Sequence, residues 1–304
     1  MNNFSLKKGI LFVVIGGFIV ATGWYVLKPY DYTVAFKSKA LVGTINQTLK
    51  LWNTNLDHSN PINQVAMDEL IQNLKFDGTD YDFHWQLSRI DDSTTQVNIG
   101  IKDRHNSLSN KIDILFNDTD FEKKVKQTVS DFLLVLSTHL EKFEVKIEGE
   151  STSPSTYCAY IPVTTKQFLK AKGMMENYGI LSNFLLENGV ELNGKPMVEV
   201  TSWDTETDSI SFNFCYPIVK KEGLPIHPTV KYKEIKGGKA IKAIYNGNYI
   251  TSDRAWYALI DYAKNKAIPL RQTPIEVFNN NPNMGGDELN WQAEIYLPIK
   301  NKTP

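Results

Sequence analysis

The sequence predicts an α+β protein in three parts. An apolar N-terminal helix comes first, then a domain of antiparallel strands closed by a long helix, then a duplicated strand-helix-strand-strand unit. Three observations carry this reading. Residues 9–27 (GILFVVIGGFIVATGWYVL) hold no charge, the stretch that follows switches between period-two alternation and helical spacing, and residues 188–200 align without gaps on residues 265–277. In that alignment Glu199 falls on Glu276 (276 − 199 = 77), and each copy leads into a strand ending in a similar step, Tyr216-Pro217-Ile218 and Leu297-Pro298-Ile299. Two copies of one small unit pack about a pseudo-twofold axis, and the seam between them is a natural cleft.

The expected divisions are an anchor at 1–29, a first domain at 30–147 and a second at 148–304, with repeats at about 155–218 and 228–300. A chain of 304 residues is long enough for about two domains. Its 42% hydrophobic and 22% charged residues are ordinary for a globular protein, and a net charge of −1 gives no whole-chain attraction to nucleic acid.

At 1.5 Å per residue the apolar run spans roughly 28 Å, close to a bilayer core. Trp24, Tyr25 and Tyr30 sit where an aromatic belt would lie. A cleaved signal peptide competes with a membrane anchor, because Lys7 and Lys8 form a short basic region and Ala21-Thr22-Gly23 is small enough for cleavage. The run is longer than a usual signal core and continues past that point, which favours a single-pass anchor. Lysines flank it on both sides, so the positive-inside rule leans only slightly toward an extracytoplasmic soluble part.

In the first domain, Tyr32, Val34 and Phe36 alternate with polar residues as a half-buried strand. Helices are expected at about 42–52 and 62–74. Tyr81, Phe83, Trp85 and Leu87 then form a hairpin with Val97, Ile99 and Ile101 about the turn at residues 91–94, and Ile112, Ile114 and Phe116 suggest a third antiparallel strand. Thr119 and Glu122 make a capping box for a helix whose stripe is Phe121, Val125, Val129, Phe132, Leu136 and Leu140. This order of strand, two short helices, further strands and a closing helix resembles the START-like (SRPBCC, helix-grip) fold. The resemblance implies a hydrophobic cavity between helix and sheet.

Residues 148–155 (EGESTSPS) read as a linker. The first repeat is then strand (156–163), helix (165–187), strand (195–203) and strand (209–218). The second has two strands within 230–245, a helix near 252–266, and strands at 272–279 and 289–298. Gly237-Gly238-Lys239 reads as a hairpin turn, not a phosphate loop.

The chemistry centres on Glu276. Period-two geometry puts it with Phe278 on one face and Ile275 with Val277 on the other. If the apolar pair meets the helix bearing Ala255, Trp256 and Leu259, Glu276 faces the cleft beside an aromatic ring, an arrangement suited to a lipophilic cation. A solvated strand glutamate is the plainer alternative. Residues 150–300 resemble the GyrI-like, or AraC-type effector-binding, ligand domain. The motifs are Tyr245-Asn246-Gly247-Asn248-Tyr249, the helix with Ala255-Trp256 and Leu259, Pro274-Ile275-Glu276-Val277-Phe278 with Pro282 after it, and Glu294-Ile295-Tyr296-Leu297-Pro298-Ile299. The resemblance implies two strand-helix-strand-strand repeats and a small-molecule site. Its ligand-binding residues would be Glu276, Phe278, Trp291, Trp256 and Tyr249, with Glu199 added by repeat logic.

Two departures matter. Phe278 stands where the family usually has tyrosine, and no helix-turn-helix precedes the domain, so a transcription factor is not expected. The reading is a membrane-anchored protein that senses or sequesters an amphipathic or cationic ligand. Its alternatives are a hydrolase of small electrophiles using Glu276, as the resemblance allows, or a lipid- or protein-binding module. No catalytic residue, cofactor or metal site is assigned. The five histidines lack metal spacing, and His84 lies on a polar strand face with Asp82 and Gln86. Cys158 and Cys215 lie in the outer strands of the first repeat, where a disulfide and two unrelated buried thiols are both possible.

Overall fold

A computed structural model describes residues 3–57 and 59–300, with side chains from residue 13 onward. Helix α1 (Asn3–Val26) leads the chain. Part of the expected span at 9–27 lies outside the residues whose side chains are described. Among the described residues no helix is long and apolar enough to cross a membrane.

The first domain runs β1 (Tyr32–Ser38), α2 (Val42–Thr54), β2 (Asn63–Ala66), β3 (Glu69–Phe76), β4 (Thr79–Arg89), β5 (Thr95–Asp103), α3 (Ser107–Asp113) and α4 (Asp120–Leu140). Its strands form an antiparallel sheet in the order β1-β5-β4-β3-β2. Both α2 and α4 cover one face. Ile45, Leu49 and Trp52 from α2 meet Phe83, Trp85 and Ile99 from the sheet and Val125, Val129 and Phe132 from α4. Phe132 stands edge-on to Trp85, with centroids 5.0 Å apart. The space between helix and sheet is therefore filled by aromatic rings. Of the expected capping box the Thr119 half forms, its hydroxyl accepting from the Glu122 backbone N–H at 3.1 Å, while the Glu122 carboxylate accepts from Tyr32 OH at 3.0 Å instead.

Two expectations here are corrected. Residues 62–74 are not a second helix but strands β2 and β3. Leu70, Gln72 and Leu74 are buried on alternate positions, and the polar Gln72 disguises the period. It is accommodated because it accepts from Trp85 Nε1 at 3.1 Å and donates to Asn53 Oδ1 at 2.8 Å. Residues 112–116 are not a strand but the end of α3 and the turn beyond it. With one helix between β1 and β2, the helix-grip likeness remains one of broad element order.

The second domain runs β6 (Phe143–Thr152), β7 (Thr156–Lys166), α5 (Lys170–Glu187), β8 (Met197–Asp204), β9 (Ser209–Pro217), β10 (Lys231–Ile235), β11 (Lys239–Gly247), α6 (Arg254–Asn265), β12 (Ile275–Phe278) and β13 (Gln292–Pro298). The repeats are β7-α5-β8-β9 and β11-α6-β12-β13, joined where β8 pairs with β12 in an antiparallel sheet ordered β10-β7-β9-β8-β12-β13-β11-β6. The expected linker is therefore largely strand. Phe143, Val145 and Ile147 of β6 turn inward while charged residues alternate outward, as suits an edge.

Each repeat is preceded by a strand that pairs with the other repeat: β6 with β11, and β10 with β7. Gly237 and Gly238 thus do not close a hairpin. The links from β6 to β7 and from β10 to β11 must each cross six strand spacings, about 29 Å in a flat sheet. Four residue steps reach only about 14 Å. The sheet is consequently rolled, and its ends meet. At the crossing, Gly237 N–H donates to Ser155 Oγ at 2.8 Å and Ser153 N–H to Gly238 O at 2.9 Å. A Cβ on Gly237 would overlap the Ser153 carbonyl oxygen. One face of the roll carries the helices and the main core, and the other a small core of Cys158, Met197, Cys215, Ile235, Ala240, Ile275 and Tyr296. Both cysteines are buried free thiols.

The domains meet through α2. Its Gly43 lies against the Tyr257 ring of α6, where a Cβ would overlap. Gln47 Nε2 donates to Asp208 Oδ1 at 2.7 Å, and Lys50 Nζ lies 3.0 Å from the same oxygen. Arg89 and Asp261 form a second ion pair across the boundary.

Candidate ligand site at the seam of the repeats

Helices α5 and α6 each begin after a single 3-10 turn, residues Gln167–Leu169 and Tyr249–Thr251. Each has a buried basic residue at its first position, Lys170 and Arg254. A cation there opposes the helix dipole and needs a carboxylate beside it. Arg254 finds Asp253, with Nη1 2.9 Å from Oδ1, and Lys170 finds Glu276.

Glu276 is 0% exposed and Lys170 1%. Lys170 Nζ donates to Oε1 at 2.7 Å and Oε2 at 2.6 Å, and a third time to Ser252 Oγ at 2.7 Å. Trp256 Nε1 donates to Oε1 at 2.7 Å, and Ser252 Oγ lies 3.0 Å from Oε2. The ammonium also stands 4.9 Å from the centroid of the Trp256 ring. All three ammonium protons and about four acceptor sites of the carboxylate are thereby engaged.

A second polar cluster adjoins this one. Gln167 Nε2 donates to Asp253 Oδ2 at 2.7 Å, while its Oε1 accepts from Trp203 Nε1 at 2.8 Å and Tyr257 OH at 3.0 Å. Burial, reinforced by Asp253, pushes the Tyr257 phenol well above its usual range. His139 of α4 accepts from Arg254 Nε at 3.3 Å. Burial, then the Arg254 charge, pushes His139 down to about 3, so the imidazole is neutral and free to accept.

The sequence-predicted residues separate into three groups. Glu276 and Trp256 come together directly. Tyr249, Phe278 and Trp291 form an adjoining aromatic cluster, with the Tyr249 centroid 4.8 Å from Phe278 and 6.1 Å from Trp291. Tyr249 OH donates to Gln292 O at 2.7 Å. Glu199 lies on the opposite face. Its cross-strand partner is Ile275, whereas Glu276 sits opposite Val198. The 77-residue offset is thus one residue out of register with the structural repeat, and a slip of one exchanges faces. Glu199 instead holds Lys233 Nζ at 2.7 Å and accepts from Asn213 Nδ2 at 2.7 Å. The facing of β12 is also the reverse of expectation. Glu276 and Phe278 point toward the helices, and Ile275 and Val277 toward the small core.

Sequence reasoning missed Lys170, Ser252, Gln167 and Asp253. The available signal was electrostatic, a lysine in the first turn of a helix where the dipole disfavours it. The two domains also enclose a groove of about 350 Å³, lined by Leu41, Phe143, Val145, Tyr262 and Arg254 among others. Arg254 is shared between this groove and the second polar cluster. Among the described residues no group of three or more His, Cys, Asp or Glu could hold a metal ion.

Residues 153–300 match the family model of the GyrI-like small molecule binding domain. No curated protein matches the chain in sequence. Among solved structures, the chain is similar to the EcmrR C-terminal domain, with 13% identity over 52% of this chain and 98% of that one and a TM-score of 0.44. It is also similar to SAV2435 bound to tetraphenylphosphonium, with 12% identity over 51% and 94% and a TM-score of 0.38. A hydrolase from Listeria innocua has 9% identity over 51% and 93%, with a TM-score of 0.34.

Proposed function

Residues 153–300 of this chain are a GyrI-like small-molecule binding domain, and from that premise we propose a membrane-tethered binding protein whose seam receives a lipophilic cation in place of Lys170. The observation that carries this is the Lys170–Glu276–Trp256 constellation, in which a buried carboxylate and an indole face already hold an ammonium. A ligand must displace that internal cation, so its apparent affinity falls by the fraction of molecules in which Lys170 has left. Tyr249, Phe278 and Trp291 supply the apolar wall against which the body of such a ligand would pack.

The tether is α1. From residue 13 its apolar side chains are exposed around the helix, including Val14, Phe18, Val20 and Trp24. A helix apolar on every side belongs in a core or a bilayer, and we place the soluble domains on the extracytoplasmic side. Hydrolysis is not favoured, because the acceptor sites of Glu276 are engaged and Phe278 offers no hydroxyl.

The test is a thermal-shift titration of the full chain in detergent with tetraphenylphosphonium and with neutral triphenylphosphine oxide. Stabilisation by the cation should be lost in Glu276→Gln while the response to the neutral compound stays. Equal loss for both compounds would refute cation recognition by Glu276.

A further inference from the structure

Helix α3 is tied to the last turn of α1. Tyr25 OH donates to the Lys111 backbone carbonyl at 2.9 Å, and Lys111 Nζ donates back to Val26 O at 2.9 Å and Lys28 O at 2.6 Å. The buried ammonium caps the carbonyl end of α1, where the helix dipole favours a cation. Lys111 also lies 3.8 Å from Asp31 Oδ1, and Asp31 in turn accepts from Asp103 N–H at 2.9 Å and from the Ser107 hydroxyl. Tyr30 covers Gly100, where a Cβ would overlap its ring, and packs 5.2 Å from His84. The end of α1 is therefore fixed against the first domain and not hung on a loose linker.

These bonds place α3 level with Tyr25. On its outer side Leu108, Ile112, Leu115 and Phe116 are exposed by 55%, 46%, 58% and 78%. Their spacing is i, i+4, i+7 and i+8, one continuous stripe on α3 and the turn after it. Ile114, from the same turn, packs inward on the core. A stripe of four large apolar side chains costs free energy in water, since each keeps apolar area that burial would stabilise at about 25 cal/mol per Å². At the same end of α1, Trp24 is exposed and Lys28 Nζ stands 4.5 Å over its ring and 5.0 Å over that of Tyr25, the pairing of aromatic body and cationic tip found at a headgroup boundary.

We propose that α3 and the turn after it are a second membrane contact, seating Leu108, Ile112, Leu115 and Phe116 at the headgroup–acyl boundary beside α1. The occupant is a lipid surface because the hydrogen bonds fix the stripe at the level of the aromatic end of the apolar helix. Asp113, Asp118 and Asp120 close by oppose an anionic surface, so the fit is to zwitterionic lipid. This contact holds the soluble domains close to the bilayer in one orientation. It rests on the tether reading above.

The test uses the full chain in phosphatidylcholine vesicles with a polarity-sensitive fluorophore on single introduced cysteines, both native thiols being buried. Phe116→Cys probes the stripe, Val20→Cys the tether, and Leu186→Cys an exposed position on α5. Doxyl lipid should quench the label at 116 and at 20 and leave 186 unchanged, and the emission at 116 should be blue-shifted relative to that at 186. Quenching at 20 without quenching at 116 overturns the second contact and leaves the tether standing. Quenching at neither overturns both, and a blue shift at 116 that doxyl lipid does not quench means that protein covers the stripe and overturns the lipid assignment.

Discussion

Lys170→Met removes one ammonium and keeps most of the side-chain volume. Because Glu276 is fully buried, the substitution leaves a carboxylate with only Trp256 Nε1 and Ser252 Oγ as donors. Breaking one side of a buried ion pair costs about 3–5 kcal/mol. For a domain of 150–250 residues each kcal/mol lowers Tm by about 2–4 °C, so the fall should be roughly 6–20 °C. The double variant Lys170→Met/Glu276→Gln removes the lone charge and should recover much of that loss, since an amide still accepts from Trp256. Thermal unfolding of wild type, both single variants and the double variant closes a double-mutant cycle. A lipophilic cation should stabilise Lys170→Met more than wild type, because no internal competitor remains. A single variant as stable as wild type, or a double variant less stable than Lys170→Met, would refute the view that Lys170 neutralises Glu276.

Two further outcomes follow from the geometry. His139 is held at about 3 in the folded state against 6.5 unfolded, so the unfolded chain binds the extra proton between those values. Its contribution is fully present above pH 6.5 and is lost as pH falls toward 3. His139→Gln, which can still accept from Arg254, should flatten the acid limb of stability between pH 6.5 and 4 in urea titrations, and an unchanged slope would count against a neutral, half-buried imidazole. Gly237→Ala should cost about 1–3 kcal/mol by forcing apart the crossing of the two inter-edge links, and a chemical denaturation midpoint equal to wild type would refute the tight crossing.

The second repeat was legible because its motifs alternate strongly and its helix carries a clear apolar face. The first domain was half legible. Gln72 hid β3, since a buried amide satisfied by Trp85 and Asn53 breaks hydrophobic alternation without breaking the strand. Strand β6 was hidden by its outward charges, which resemble a polar linker until the three inward apolar residues are matched to a partner edge. The facing of Glu276 was not readable at all, because the rolled sheet has an apolar core on each side and Ile275, Val277 and Phe278 fit either one. Glu199 misled for a related reason. Sequence alignment tolerates a shift of one residue that strand pairing does not.

The buried pairs at the seam form a connected set. Lys170 holds Glu276 from the first turn of α5; Gln167, in the turn before it, holds Asp253; Asp253 holds Arg254; and Arg254 donates to His139 of the first domain. Alongside them, Asp208 of the second domain holds Gln47 and Lys50 of α2. Each member removed alone leaves a buried charge or amide unsatisfied, which costs more than the bond itself contributed. On the reading proposed above, a ligand that takes the place of Lys170 must give the displaced ammonium a new position, and that ammonium is borne by the first residue of α5. The 3-10 turn that leads into α5 carries Gln167, so the displacement bears on the same residues that join the two domains. On that reading, the start of α5 is the element that links the seam to the first domain, through Gln167, Asp253 and Arg254.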